Sequence, residues 1–132
     1  MTFESRNPFT EELITSFESL KTSQINQKLT LAKKVYTSWK NTPFDKKSTL
    51  FFRVSEILEK NKEQYARLIT LEMGKVIKEA RAEIEKCAML CRYYAENAEK
   101  HLADEIVATE GKKSYIRFEP LGAVFAVMPW NF

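Results

Sequence analysis

The chain has 132 residues, of which 44% are hydrophobic and 30% are charged, and its formal net charge is +3. This length predicts a single domain, and this composition excludes an intrinsically disordered chain. The 21 basic and 18 acidic residues are interspersed along the sequence, which is typical of solvated helix faces and argues against a nucleic-acid partner.

Several features of the sequence indicate the compartment. No apolar run approaches the length that a membrane span needs, and the first six residues lack the basic and apolar regions of a secretory signal. Cys87 and Cys91 are closely spaced. We therefore expect a protein of the reducing cytoplasm without a membrane partner.

Residues 2–20 are predicted to form two short extended pieces around a turn. Residues 2–5 alternate between polar and apolar side chains, and Asn7-Pro8 interrupts the pattern. Residues 12–17 could form the second strand. A helix is the alternative there, because glutamate-rich stretches are poor strand formers.

The middle of the chain is predicted to be helical, since it contains few glycines and prolines. Thr22 or Ser23 can cap the first helix, Thr42-Pro43 separates it from the second, and Asn61 begins a third. Gly74 ends the third helix, and a fourth is expected over residues 75–102. Apolar residues at helical spacing form one stripe in the first helix (Ile25, Leu29, Ala32, Val35, Tyr36, Trp39) and one in the second (Leu50, Phe51, Val54, Ile57, Leu58).

The stripe of the fourth helix is rich in small residues, which predicts close packing against another element. It contains Ala80, Ile84, Cys87, Ala88, Cys91, Tyr94, Ala95 and Ala98. The two cysteines lack further metal ligands nearby and are poorly spaced for a disulfide, so we interpret them as buried thiols. His101 is expected to interact with the helix C-terminus. Residues 72–75 are interpreted as a helix end and not as a phosphate loop.

The composition changes after Asp104. Residues 110–113 predict a turn, and residues 114–119 alternate as an amphipathic strand does. Pro120-Leu121-Gly122 then interrupts the chain before residues 123–128, a continuous apolar run that is typical of a strand buried on both faces of a parallel sheet. A parallel strand needs neighbouring strands, and no second run of this kind exists upstream. We therefore expect the sequence to be a piece of a larger α/β protein.

The last four residues, Pro129-Trp130-Asn131-Phe132, are the candidate site. They follow the predicted buried strand, at the carboxyl end where open α/β sheets bind ligands. Proline fixes the exit of the chain, tryptophan offers a flat wall, and the asparagine amide can donate to a developing oxyanion. A hydrophobic turn with a capping asparagine is the alternative that these residue types leave open.

Residues 118–124 and 128–132 together resemble the aldehyde dehydrogenase superfamily, in which an "EP-x-G" corner precedes a strand ending in "PWNFP". Upstream, Leu71-Glu72-Met73-Gly74-Lys75, followed by Glu79-Ala80 and Glu83, resembles a helix boundary of the same family. Within it, both stretches are similar to the succinate-semialdehyde dehydrogenases. The order and spacing agree over nearly the whole chain.

The resemblance implies an incomplete α/β fold in three parts. Residues 1–110 would form the mostly helical N-terminal part of a Rossmann-like cofactor domain. Residues 111–120 would form a strand of an oligomerisation ribbon, and residues 121–132 the first strand of the active-site sheet. The implied partners are a small aldehyde and further copies of the chain, in a dimer or a tetramer, with no nucleic acid and no membrane.

The resemblance also implies an activity, the NAD- or NADP-dependent oxidation of an aldehyde to a carboxylic acid through a cysteine thiohemiacetal and thioester. Asn131 would be the catalytic oxyanion donor. Val127, Met128, Pro129 and Trp130 would lie along the cofactor, and Phe132 would line the substrate tunnel. No metal site is implied.

Neither cysteine of this chain matches the family's nucleophile, which belongs to a later "GQ-x-C" motif, so these residues alone are expected to be inactive. The sequence leaves two alternatives open. One is a semialdehyde dehydrogenase that acylates coenzyme A, and the other is a stand-alone helical interaction module.

Overall fold

The computed structural model describes residues 2–128 of the chain. Two short strands come first, four helices follow, and two further strands close the described part. The elements are β1 (Thr2–Arg6), β2 (Leu13–Glu18), α1 (Thr22–Trp39), α2 (Phe44–Lys60), α3 (Lys62–Met73), α4 (Ile77–His101), β3 (Glu105–Val107) and β4 (Ser114–Ile116). Among the described residues, no helix combines the length and apolarity that crossing a membrane requires.

The N-terminal hairpin confirms the two predicted extended pieces. β1 and β2 pair antiparallel, with Phe3 opposite Phe17. The turn between them is held by Asn7, whose Oδ1 accepts a hydrogen bond from the Phe9 amide at 2.9 Å, as asparagine commonly does in turns. Residues 13–18 are therefore a strand, and the helical alternative is wrong.

The four predicted helices are present, with ends close to the expected ones. Asn61 separates α2 from α3, but its side chain donates to the Ile57 carbonyl at 2.9 Å and so caps the end of α2. Asn61 therefore precedes α3 without capping it, since no side-chain hydrogen bond caps the start of that helix. Gly74 ends α3 in the left-handed conformation, at φ 71°, and its amide donates to the Thr70 carbonyl at 2.9 Å.

Small side chains form the centre of the helical unit. Ala66 of α3 and three residues of α4 (Ala80, Ile84 and Ala88) are buried, as is Ser55 of α2. Small residues let helix backbones approach closely, and the stripe on α4 had predicted this packing. The Ser48 hydroxyl of α2 also donates to the Ala95 carbonyl of α4 at 2.7 Å.

The larger apolar side chains lie mostly on other helix faces. Phe51, Val54 and Ile57 of α2 are exposed, and α1 has no buried residue. Cys87 is exposed and Cys91 is half-buried, so the interpretation of both as buried thiols is wrong. The reason is that α2 and α3 cover only the Ala80–Ile84–Ala88 face of α4 in the described part of the chain.

The C-terminal strands differ most from the prediction. β4 ends at Ile116, three residues before the expected end, and pairs antiparallel with β3, which the sequence did not predict. Residues 121–128 form no strand, whereas a buried strand was expected over residues 123–128. A strand needs hydrogen-bonded neighbours, and the described residues place none beside this segment.

Candidate functional site

The chain segment that leads to the candidate site is attached to α1 through Tyr36. The Tyr36 hydroxyl donates a hydrogen bond to the Pro120 carbonyl oxygen at 2.6 Å. Two residues later, Gly122 lies against the tyrosine ring, where a Cβ would be 3.9 Å from two ring atoms. The side chain of Tyr36 thus hydrogen-bonds to the backbone before Leu121 and faces the backbone after it.

The backbone at this contact has an unusual conformation. Gly122 has φ +113°, which residues with a side chain rarely adopt. Pro120 has a fixed φ and no amide hydrogen, so its carbonyl is the hydrogen-bonding group that its backbone offers. The predicted interruption at residues 120–122 therefore corresponds to a defined corner that α1 supports.

A second anchor precedes the corner. Arg117 donates from Nε to Asp104 Oδ1 at 2.9 Å and from Nη2 to Oδ2 at 2.6 Å. The hydrogen bonds from Arg117 hold the pKa of the Asp104 carboxyl below its ordinary value, and the pKa of Arg117 is raised in turn. The Arg117 guanidinium also lies 4.8 Å from the centre of the Tyr115 ring, within cation–π distance.

Beyond the corner, the chain presents an uncharged and exposed segment. No residue between Leu121 and Met128 carries a charge. Val127 is 81% exposed and Met128 is 75% exposed, so both are accessible to a ligand. The other predicted site residues, Pro129, Trp130, Asn131 and Phe132, lie outside the described residues.

An aromatic cleft of about 680 Å³ lies beside the corner, between the start of α2, the end of α4 and residues 118–120. Its lining includes Trp39, Phe44, Phe51, Tyr94 and Phe118. The ammonium group of Lys47 is 5.6 Å from the Trp39 ring centre and 5.4 Å from that of Phe44. Sequence reasoning missed this cleft because its walls come from distant parts of the chain.

The other candidates considered from the sequence do not assemble a reactive centre within residues 2–128. Cys87 and Cys91 are free thiols, and no group of histidine, cysteine and acidic side chains in this range could hold a metal ion. His101 lies at the end of α4, as predicted, and its Nε2 is 3.0 Å from the Tyr93 hydroxyl. Residues 72–75 contain the end of α3, which agrees with the helix-end interpretation.

The comparisons with known sequences agree on one family. The model of the family described as "Aldehyde dehydrogenase family" matches residues 1–132. A probable succinate-semialdehyde dehydrogenase [NADP(+)] of Synechocystis is 43% identical over 126 residues, and a succinate-semialdehyde dehydrogenase [NADP(+)] of Mycobacterium avium is 40% identical over 131 residues. Each alignment covers 96% of this chain, which spans about 28% of the length of these relatives.

Solved structures share the fold. An indole-3-acetaldehyde dehydrogenase in the apo form superposes with a TM-score of 0.88 at 30% identity, over 99% of this chain and 31% of that one. The glyceraldehyde-3-phosphate dehydrogenase GapN of Methanocaldococcus jannaschii, complexed with NADP, gives a TM-score of 0.89 at 26% identity, over 97% of this chain and 28% of that one. The succinic semialdehyde dehydrogenase of Streptococcus pyogenes with NADP+ gives 0.81 at 25% identity, over 86% of this chain and 25% of that one.

Proposed function

The chain belongs to the aldehyde dehydrogenase family, and from that premise we propose that it is the N-terminal part of an enzyme that oxidises succinate semialdehyde to succinate. The observation that carries the proposal is the agreement between the family match over residues 1–132 and two relatives of the same named activity at 43% and 40% identity. Both names specify NADP(+), which favours NADP over NAD as the cofactor. The family match also favours an enzyme over the alternative of a stand-alone interaction module.

Asn131 is the residue of this chain to which we assign a catalytic role. In the proposed reaction, a cysteine beyond these 132 residues attacks the aldehyde carbon, and the carbonyl oxygen becomes an oxyanion. The neutral amide of Asn131 would donate a hydrogen bond to that oxygen. A donor of this kind stabilises the charge only as it develops, so it accelerates the chemical step by about 10²–10³.

The segment before Asn131 has the chemistry of a cofactor wall. It is uncharged from Leu121 onward, and Val127 and Met128 are exposed. We propose that residues 127–130 lie along the dinucleotide, partly through backbone atoms, while Phe132 lines the aldehyde tunnel. When bound, the cofactor accepts a hydride from the substrate. An uncharged wall suits the nicotinamide ring, because it excludes water without offering a competing charge.

The three-part division of the chain is part of the same proposal. Residues 1–110 would support the cofactor domain, residues 111–120 would belong to an oligomerisation ribbon, and residues 121–132 would enter the active-site sheet. The β3–β4 ribbon has unpaired backbone edges in the described structure, and such edges readily pair with another strand. The proposed assembly is a homo-oligomer, and the proposed compartment is the cytoplasm.

The test of the catalytic role is Asn131→Ala in the enzyme that contains these residues. We expect turnover to fall about 10²–10³-fold, with little change in the dissociation constant for NADP. Asn26→Ala is the matched control, because Asn26 is an exposed asparagine of α1. Small and equal effects on turnover and on NADP binding would remove the oxyanion role.

The test of the substrate compares succinate semialdehyde with butanal, which has the same chain length and no carboxylate. We expect a much higher kcat/KM for succinate semialdehyde and succinate as the product. Equal kcat/KM values would contradict the substrate assignment. Formation of succinyl-coenzyme A in place of succinate would identify the acylating alternative.

A further inference from the structure

We propose that Tyr36 is a positioning residue for Asn131, acting through the corner at residues 120–122. This inference rests on the proposed function, because it assumes that the place of the Asn131 amide matters for turnover. Tyr36 itself lies on α1 and has no assigned contact with substrate or cofactor. Its effect would come from the direction in which it holds the segment that leads to Asn131.

The first support is the pair of contacts that Tyr36 makes. Its hydroxyl donates to the Pro120 carbonyl at 2.6 Å, and its ring faces Gly122, where an added Cβ would lie 3.9 Å from two ring atoms. One side chain therefore holds one backbone group of a corner that is 84 residues away in sequence and limits the space beside a second. The hydrogen bond alone would allow the chain to rotate about the Pro120 carbonyl oxygen, and the ring beside Gly122 limits that rotation.

The second support is the shape of the surface around this contact. A shallow recess is lined by Ala32, Val35, Tyr36 and Trp39 of α1 and by Gly122 and Ala123. The two residues from the corner are small, so the backbone can approach the helix. Tyr36 therefore belongs to the face of α1 that this segment approaches.

The third support is the anchor on the other side of the corner. Arg117 is held by two hydrogen bonds to Asp104, and only Phe118 and Glu119 separate it from Pro120. The chain is thus fixed by the ribbon at residue 117 and by α1 at residues 120 and 122. Two fixed points so close together define a direction for the chain that follows.

That direction matters because Asn131 follows Gly122 by only nine residues of the same chain segment. Residues 123–128 have no strand partner among the described residues, so the corner is the described fixed point that precedes Asn131 along the chain. Misplacement of a catalytic group by about 1 Å can lower a rate by about 10²-fold.

The experiment uses two substitutions in the enzyme that contains these residues. Tyr36→Phe removes the hydroxyl and keeps the ring against Gly122, whereas Tyr36→Ala removes both contacts. We expect kcat to fall about 5-fold for Tyr36→Phe, from the loss of one hydrogen bond, and at least about 10-fold for Tyr36→Ala. Phenylalanine should therefore rescue part of the alanine defect.

Tyr93→Phe is the matched control. It also removes one tyrosine hydroxyl contact, in this case with the His101 side chain at 3.0 Å, but on α4 and not at the corner. We expect its turnover to stay within about twofold of the wild type. Thermal unfolding of each variant separates loss of folded protein from loss of turnover.

A double-mutant cycle with Asn131→Ala distinguishes positioning from a general structural role. If Tyr36 acts through Asn131, then Tyr36→Phe should change turnover by less than about twofold once Asn131 is alanine. The same fold loss on both backgrounds would overturn the inference, because the effect would then be independent of the oxyanion donor.

Amide hydrogen exchange provides a readout that does not depend on activity. Tyr36→Ala should increase exchange in residues 121–128 and leave α4 (Ile77–His101) unchanged. Unchanged exchange in residues 121–128 would overturn the inference even if the proposed function is correct. Faster exchange together with a fully active Asn131→Ala enzyme would instead overturn the proposed function, while showing that Tyr36 holds the segment.

Discussion

Arg117 and Asp104 form a two-pronged ion pair that continues the register of the β3–β4 ribbon. Glu105 pairs with Ile116, so Asp104 and Arg117 occupy the next opposed positions, and their side chains make two hydrogen bonds of 2.9 and 2.6 Å. The pair closes the ribbon at the end where the chain continues toward Pro120. Bidentate geometry of this kind combines charge with a fixed orientation.

This ion pair predicts an acid-dependent change in stability. Hydrogen bonding from Arg117 lowers the pKa of Asp104 below its ordinary value of 3.8. The stabilisation is therefore complete above about pH 3.8, and it is lost as the pH falls through the lower pKa of the folded state. We expect the difference in unfolding free energy between the wild type and Arg117→Gln to shrink as the pH falls through this range.

The measurement is a pair of denaturant titrations at several pH values, with NMR observation of the Asp104 carboxyl carbon. In Arg117→Gln, the Asp104 pKa should return toward 3.8. Arg6→Gln is a suitable control, because it removes an exposed pair with Glu4 in the N-terminal hairpin. Titration of Asp104 at or above 3.8 in the wild type would contradict the role of Arg117.

Gly74 is expected to be intolerant of alanine. Its φ is +71°, and a Cβ would lie 3.3 Å from Pro8 Cγ, where the N-terminal hairpin meets the end of α3. The left-handed conformation costs a residue with a side chain about 1–2 kcal/mol. Gly74→Ala should lower the free energy of unfolding by about this amount in chemical denaturation.

Gly111→Ala is the control for that experiment. A Cβ at Gly111 would also meet an atom at 3.3 Å, Thr109 Oγ1, but Gly111 has no φ in the left-handed range. The two substitutions therefore share the close contact and differ in backbone strain. Equal losses of stability would show that crowding, and not the conformation of Gly74, decides the effect.

Ser55 is expected to be better replaced by alanine. Its side chain is fully buried at the centre of the helical unit, and its Oγ has no hydrogen-bond partner among the described residues. A buried hydroxyl that lacks a partner has lost its hydration without compensation. Ser55→Ala should raise the free energy of unfolding by about 1 kcal/mol.

Ser48 offers the opposite case on the same helix. Its hydroxyl donates to the Ala95 carbonyl at 2.7 Å, so Ser48→Ala should lower the free energy of unfolding by about 1 kcal/mol. Denaturation of both variants under one set of conditions gives the comparison. A loss of stability in Ser55→Ala as large as that in Ser48→Ala would contradict the assignment of Ser55 as unpaired.

Much of the secondary structure could be predicted because its signals are local. Helical spacing placed the four helices, and Gly74 marked the end of α3 where the structure has a left-handed residue. The strand at Glu105–Val107 was missed, since three residues are too few to show an alternating pattern. The apolar run at residues 123–128 was predicted as a strand, but strand formation depends on neighbours that the local pattern does not supply.

The same contrast between local and tertiary signals applies to the candidate site. The sequence by itself determined the family, through the corner at residues 118–122 and the final Pro129-Trp130-Asn131-Phe132, because those signals are a matter of residue order. It placed Tyr36 in the apolar stripe of α1 without indicating a partner.

Only the tertiary structure decided that Tyr36 reaches Pro120 across 84 residues, and that Ala80 and Ala88 are buried while Cys87 is exposed. Periodicity defines which residues share a helix face, and glycine and proline define where the backbone turns. Which face meets which neighbour depends on how closely whole elements can approach, and that is decided by packing over the entire fold.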